Sequence, residues 1–211
     1  MAVCGPKQTF QDLLITLIGT LSRLGDPVPY DEYLAHWGAS NLTRWSRGAL
    51  TRAVLPDSSI AFLETVGLPP TKGVLGLDYR WEPSLPEQRG GRRVLGRYHS
   101  VPLLLDETAG GCVIKLNSPD LPGSTRAWQP ERWYNSSVEQ FALFLTEFSR
   151  FFRSPEHVAV RSKLGSERNT PRFSEQVDML EKRLAEIDHA ATDPNGPWGL
   201  LLWETRTGIT D

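Results

Sequence analysis

The chain has 211 residues, 39% hydrophobic and 23% charged, and Lys plus Arg (23) nearly balance Asp plus Glu (25), leaving a net charge of -2. That length supports one domain with a sizeable core and no need of disulfide or metal staples, and the apolar share excludes an intrinsically disordered chain. The near-neutral balance supplies no global attraction to nucleic acid or to an anionic membrane.

The first predicted element runs from Thr9 to Leu24, where Phe10, Leu13, Leu14, Leu17, Leu21 and Leu24 recur at helical spacing. Thr9 suits the N-cap and Gly25 the stop. The polar face is too poor in Lys and Arg for a membrane-surface helix, so the stripe is read as packing on the core. Tyr30, Tyr33, Leu34 and Trp37 predict a short helix ending at Gly38. The segment LTRWSRGALTRAV around Trp45 is a loop or an edge strand. Pro56 and Asp57 open a helix through SSIAFLETV that Gly67 closes. With Gly67 left-handed, Leu68 can touch Leu63 in a Schellman arrangement, and Pro69 and Pro70 forbid continuation.

From 73 to about 134 the pattern is that of short strands: VLGLDYRW, RRVLGRYHSV, PLLLD, CVIKL and RAWQPERWYN. EPSLPEQRGG and NSPDLPGST are loops, and PLLLD-ETAGG-CVIKL is a hairpin with a glycine-bearing turn. Strands without intervening helices predict an antiparallel meander. Asn135-Ser136-Ser137 then launches the strongest helix. Ser136 with Glu139, or Ser137 with Gln140, has capping-box spacing. Val138, Phe141, Leu145, Phe148 and Phe152 form its stripe, broadened by Phe144 and Phe151. Residues 153–172 are a polar excursion. Thr170-Pro171 starts another helix with Phe173, Val177, Leu180, Leu184 and Ile187 inward, and TDPNGP ends it. WGLLLWET is a helix or a buried strand, with helix favoured. The fold class is therefore α+β: a twisted antiparallel sheet of about four to six strands, meander-like, packed against N-terminal and C-terminal helices in one domain over 1–211.

Chemical motifs are sparse. There is no phosphate-binding glycine loop, no dinucleotide fingerprint, no H-E-x-x-H and no nucleophile elbow. The four histidines (36, 99, 157 and 189) fall in separate segments. Cys4 and Cys112 cannot form a zinc knuckle, and Cys112 is expected to be a small core hydrophobe. No cofactor, metal ligand set or catalytic residue is assigned. The start, MAVCGPKQTF, lacks the basic and apolar regions of a secretory signal, and no apolar run reaches the length of a membrane span. A cytoplasmic protein is expected, more readily a monomer than an oligomer. Arg89, Arg92 and Arg93 with Gly90 and Gly91 are read as a charged loop.

FLETVGLPP (62–70) and, about 65 residues downstream, WYNSSVEQFALFL (133–145) together resemble the SUKH superfamily of bacterial immunity proteins, and its fourth subfamily above all. The matched pattern comprises Gly67, Leu68 and Pro69 at a helix stop, then Asn135, Ser136 and Ser137 before a helix bearing Phe141. The hairpin ETAGGCVIKL and the late Trp198 are similar to the family's in position. The resemblance covers about 45–205 and leaves 1–40 as a helical elaboration. It implies a non-catalytic protein that binds and blocks a polymorphic toxin, often a nuclease or a nucleic-acid deaminase. The partner is then a protein toxin, with no nucleic acid or membrane partner. Against a basic toxin site, carboxylates would steer association; those on predicted loops are Asp78, Glu82, Asp106, Glu107, Asp120 and Glu131, with Trp81 and Trp128 as aromatic anchors. Two other readings stand beside it: a regulatory scaffold of the same fold, and a small hydrolase or transferase using His99 with Asp106.

Overall fold

In the computed structural model, which describes residues 30–70, 79–88, 90–98, 101–116, 131–155, 157 and 171–207, three short helices come first: α1 (Tyr30–Trp37), α2 (Arg47–Leu50) and α3 (Asp57–Thr65). The described strands are β1 (Tyr79–Trp81), β2 (Glu87–Gln88), β3 (Arg92–Tyr98), β4 (Val101–Asp106), β5 (Cys112–Leu116) and β6 (Glu131–Asn135). Helices α4 (Val138–Arg153), α5 (Pro171–Asp188) and α6 (Pro197–Thr207) close the chain, with 3-10 turns at Glu107–Ala109 and His189–Thr192. The helix predicted over 9–24 lies outside the described residues, as do the NSPDLPGST loop and most of the polar excursion.

The sheet is the predicted meander. All described pairings are antiparallel, in the order β1-β3-β4-β5-β6, and β2 pairs with β3 along the edge that β1 also uses. Consecutive strands are neighbours because short turns suffice to join antiparallel partners. PLLLD is continuously apolar because both faces are covered. Leu103 and Leu105 enter the main core, and Leu104 joins Val94, Cys112 and Ile114 in a second, smaller cluster flanked by Trp133. Cys112 is thus buried as expected. A bulge in β3 leaves Leu95 unpaired between Val94↔Leu104 and Gly96↔Leu103, and Leu95 points into the main core.

Helix α4 lies on the inner face of the sheet. Val138, Phe141, Ala142, Phe144, Leu145 and Phe148 are all fully buried, and each large side chain contributes roughly 1.5–3 kcal/mol of burial before entropy is counted. Ser137 is the cap, its Oγ accepting from the Gln140 N–H at 3.2 Å. The Gln140 side chain does not return to the cap as a capping box requires, and instead donates to the Ile187 carbonyl at 2.9 Å. α1 packs along α4 through Trp37, whose indole N–H donates to Thr146 Oγ1 at 2.9 Å, and through His36, whose Nε2 lies 3.0 Å from Ser149 Oγ. Burial, then the nearby Arg150 and Arg153 charges, lower the His36 pKa from its ordinary 6.5.

Two local readings change. The Trp45 segment is neither plain loop nor strand: Ser46 caps the one-turn helix α2, and the Trp45 indole is buried and donates to the Glu82 carbonyl at 2.9 Å. Periodicity cannot announce a single four-residue turn. At the end of α3, Gly67 is left-handed as expected (φ +88°). Leu68, however, does not close a Schellman motif. Its N–H donates to the Thr43 carbonyl (2.9 Å) and its carbonyl accepts from the Thr43 N–H (2.8 Å), while the Gly67 N–H returns to Phe62. The helix end is satisfied by a distant loop. No helix among the described residues is long and apolar enough to cross a membrane.

Gly67 therefore answers two demands, since a Cβ there would also run into the Thr43 carbonyl. Gly110 has a similar φ of +67° with open space around it. Gly67→Ala is expected to cost upwards of about 2 kcal/mol and Gly110→Ala only about 1. Urea denaturation of both variants measures the difference, and equal losses would mean that the Thr43 approach is not a constraint.

Candidate functional site

The two motifs that carried the resemblance are joined to the rest of the chain by polar contacts, and the second builds a buried network. Between β5 and β6 the register runs Val113↔Asn135 and then Ile114↔Trp133, so Tyr134 is the extra residue of a bulge. Strict alternation would send Asn135 to the same side as Trp133. The bulge lets Tyr134 and Asn135 both turn inward, where Asn135 is fully buried. Its Oδ1 accepts from the Trp198 indole N–H (2.9 Å) and its Nδ2 donates to Asp188 Oδ2 (3.2 Å). The same carboxylate accepts from the Ser136 N–H (2.8 Å) and hydroxyl (3.1 Å). Within Asn135-Ser136-Ser137, the first residue ties the core, the second donates to the carboxylate and the third caps the helix.

Trp198 sits at the centre of an aromatic cluster. Its ring is 5.4 Å from that of Tyr134 and perpendicular to it, 5.2 Å from Phe148 and nearly parallel, and 5.4 Å and 5.9 Å from Phe144 and Phe141. WGLLLWET is helical, as favoured, because Trp198 and Leu202 must meet one face of the core while Trp203 stays exposed. A second buried carboxylate, Glu139, accepts from Ser59 Oγ at 3.0 and 3.1 Å and joins α3 to α4.

The residues nominated for partner contact divide by position. Asp78, Asp120, Trp128 and also His99 lie outside the described residues, and of Glu131 only its place as the first residue of β6 is described. Trp81 is half-buried: its ring stacks on Tyr79 at 5.3 Å, and its N–H donates to the Pro69 carbonyl at 2.7 Å. Glu82 receives the Ser84 hydroxyl at 2.8 Å. Asp106 and Glu107 come together with Arg92 and Arg93 at the β4–β5 turn, and both are tied within the chain. Asp106 Oδ1 accepts from the Thr108 N–H (2.9 Å) and hydroxyl (2.6 Å), and Arg92 lies 3.6 Å from Oδ2. Glu107 Oε1 accepts from Arg93 Nε (2.8 Å) and from the Val54 N–H (2.7 Å), while Arg93 also reaches the Arg52 carbonyl and the exposed Glu87 (3.7 Å). The hairpin turn is a braced corner clamped to the 52–54 loop.

Sequence reasoning missed Asp188 and Arg132. Asp188 ends α5, and nothing local marks it as the acceptor for a motif 52 residues earlier. Arg132 lies on β6 beside a groove of about 200 Å³ between that strand, the 190–196 turn and Pro197 at the start of α6. Among the described residues no group of His, Cys, Asp and Glu is placed to hold a metal ion.

Asp188→Asn turns one acceptor into a donor that faces donors, and is expected to cost about 2–3 kcal/mol. Trp198→Phe keeps most of the packing but strands Asn135 Oδ1, for about 1–3 kcal/mol. Their double mutant should fall short of the sum, because both act on Asn135; a fully additive denaturation result contradicts a shared network. Asp106 yields a pH signature. Partial burial pulls its pKa up, but the Thr108 hydroxyl, the Thr108 amide and Arg92 outweigh that and hold it below the ordinary 3.8. A depressed folded value means stability that is present above 3.8 and lost as pH falls through the folded pKa. Asp106→Asn is therefore expected to be less stable than wild type at neutral pH, with the gap closing in acid. Thermal melts from neutral pH down to about pH 2 check this, and a gap that stays constant would contradict it.

The SUKH-4 immunity protein family model matches residues 31–203, from α1 through most of α6. No curated protein matches, and no solved structure matches. With the match spanning the helix stop, the meander, the Asn-Ser-Ser launch of α4 and the Trp198 helix, the chain belongs to the SUKH-4 family of immunity proteins.

Proposed function

We propose that this protein protects the cell that makes it by binding a cognate toxin and occluding its active site, without chemistry of its own. The carrying observation is the family match over 31–203, which reaches into every described helix and strand. The toxin is a protein acting on nucleic acid, a nuclease or deaminase, so the surface to be covered is basic. The protein meets it in the cytoplasm, as a monomer. Recognition falls to the strand ends and the loops between them, where Asp78, Glu82, Asp120, Trp128 and Glu131 stand in sequence around the braced pair Asp106 and Glu107, together with Trp81. Bracing supports this use, because a corner already held by Arg92, Arg93 and Val54 loses little conformational freedom when a partner docks.

Binding and catalysis differ in stoichiometry. A blocking protein protects only when present in at least equal amount, whereas an enzyme acting on the toxin protects at a small fraction of it. Coexpression with the toxin encoded beside this chain, at graded expression ratios, is expected to restore growth only near equimolar ratio and to yield an intact one-to-one complex. Protection at a few per cent of the toxin level, or no complex, would rule out occlusion.

A further inference from the structure

Among the described residues, the groove beside the Asn135 network is lined by one cation, Arg132, and one acid, Asp193. Arg132 is half-buried, and its Nε is shut off from solvent with no hydrogen-bond partner among those residues. A buried guanidinium N–H left unpaired is a cost that calls for an explanation, and an acceptor supplied from outside the chain is one. Pro197, which also lines the groove, begins the 11-residue helix α6, whose N-terminal end contributes partial positive charge. Asp193 makes no ion pair with Arg132; its Oδ1 accepts from the Asn195 N–H at 2.8 Å and from the Asn195 side-chain amide at 3.3 Å.

We propose that this groove is a carboxylate-binding subsite of the toxin interface, in which Arg132 receives an Asp or Glu side chain presented by the partner; it rests on the immunity reading above. Three features select that occupant. The space of about 200 Å³ is below the roughly 300–1,000 Å³ that encloses a free small-molecule ligand, but suits one side chain. Trp133, Ala191 and Pro197 give apolar walls for its methylene stem, while the guanidinium fork matches a carboxylate in plane. Asp193 in the same groove admits a single negative charge more readily than the near-double charge of a phosphate group. Arg132 thus adds a positive point to a surface otherwise built to attract a basic toxin, and such alternation fixes orientation and excludes wrong partners.

The test needs no toxin at first. With ¹⁵N-labelled arginine and tryptophan, a capped tetraglutamate peptide is titrated against the full chain, with potassium chloride at equal ionic strength as reference and inorganic phosphate as the competing probe. The Arg132 Nε–H and Trp133 indole signals are expected to move together and saturate at about millimolar peptide. In Arg132→Gln the Trp133 response should weaken at least about tenfold, with Arg132→Lys in between because it keeps the charge and loses the fork. No shift, an equal response in Arg132→Gln, or phosphate binding as tightly as the peptide overturns the proposal, as does an Arg132 signal that moves only on Asp193→Asn. Then, in coexpression with the toxin, Arg132→Gln should require about tenfold more protein for rescue. Unchanged rescue by this variant overturns the partner role. Failure of the wild type to rescue overturns the immunity reading and with it the toxin-interface role, while the peptide titration still decides whether the groove binds a carboxylate.

Discussion

The Asp188 carboxylate, buried at the end of α5, is the point on which the C-terminal half of the fold depends. It takes both polar groups of Ser136 and the amide of Asn135, and Asn135 in turn holds the Trp198 indole. One acceptor thereby fixes where the sheet ends, where α4 starts, where α5 stops and how α6 enters the core. Buried carboxylates are tolerated only when their lone pairs are met, and a half-met network is worse than an apolar one. The bulge at Tyr134 is the backbone change that lets Asn135 turn inward to take part.

Tryptophan serves similarly elsewhere. Trp37 ties α1 to Thr146, Trp45 ties the 42–50 segment to the Glu82 carbonyl, and Trp81 ties β1 to the Pro69 carbonyl. Each ring fills core volume while its N–H holds a specific partner well away in sequence. These tryptophans cross-link irregular segments that periodic packing would leave loose.

Much of this is legible in the residues because it is periodic or local. The stripes of α4 and α5, the cap at Ser137, the hairpin around Gly110-Gly111 and the meander all follow from spacing and turn chemistry. What is not legible is non-local. Gly67 reads as a stop for its own helix, but its neighbour Leu68 pairs with Thr43. Gln140 matches a capping box and reaches α5 instead. Asp106 and Glu107 look like free acids on a turn because Arg92 is brought opposite Asp106 only by the β3–β4 register, and Arg93 and Val54 only by folding. Charge on a sequence counts groups; folding decides which of them remain unmatched.

That distinction bears on how a near-neutral protein recognises another. The carboxylates most visible in sequence are committed to their own corner, while Arg132, whose Nε has no partner among the described residues, carries no motif that marks it. Its neighbours are tied into the buried network: Asn135 lies three residues along β6, and Trp198 follows the groove wall at Pro197. Specificity built this way does not need a large net charge. It needs one unmet group beside a network that is itself met.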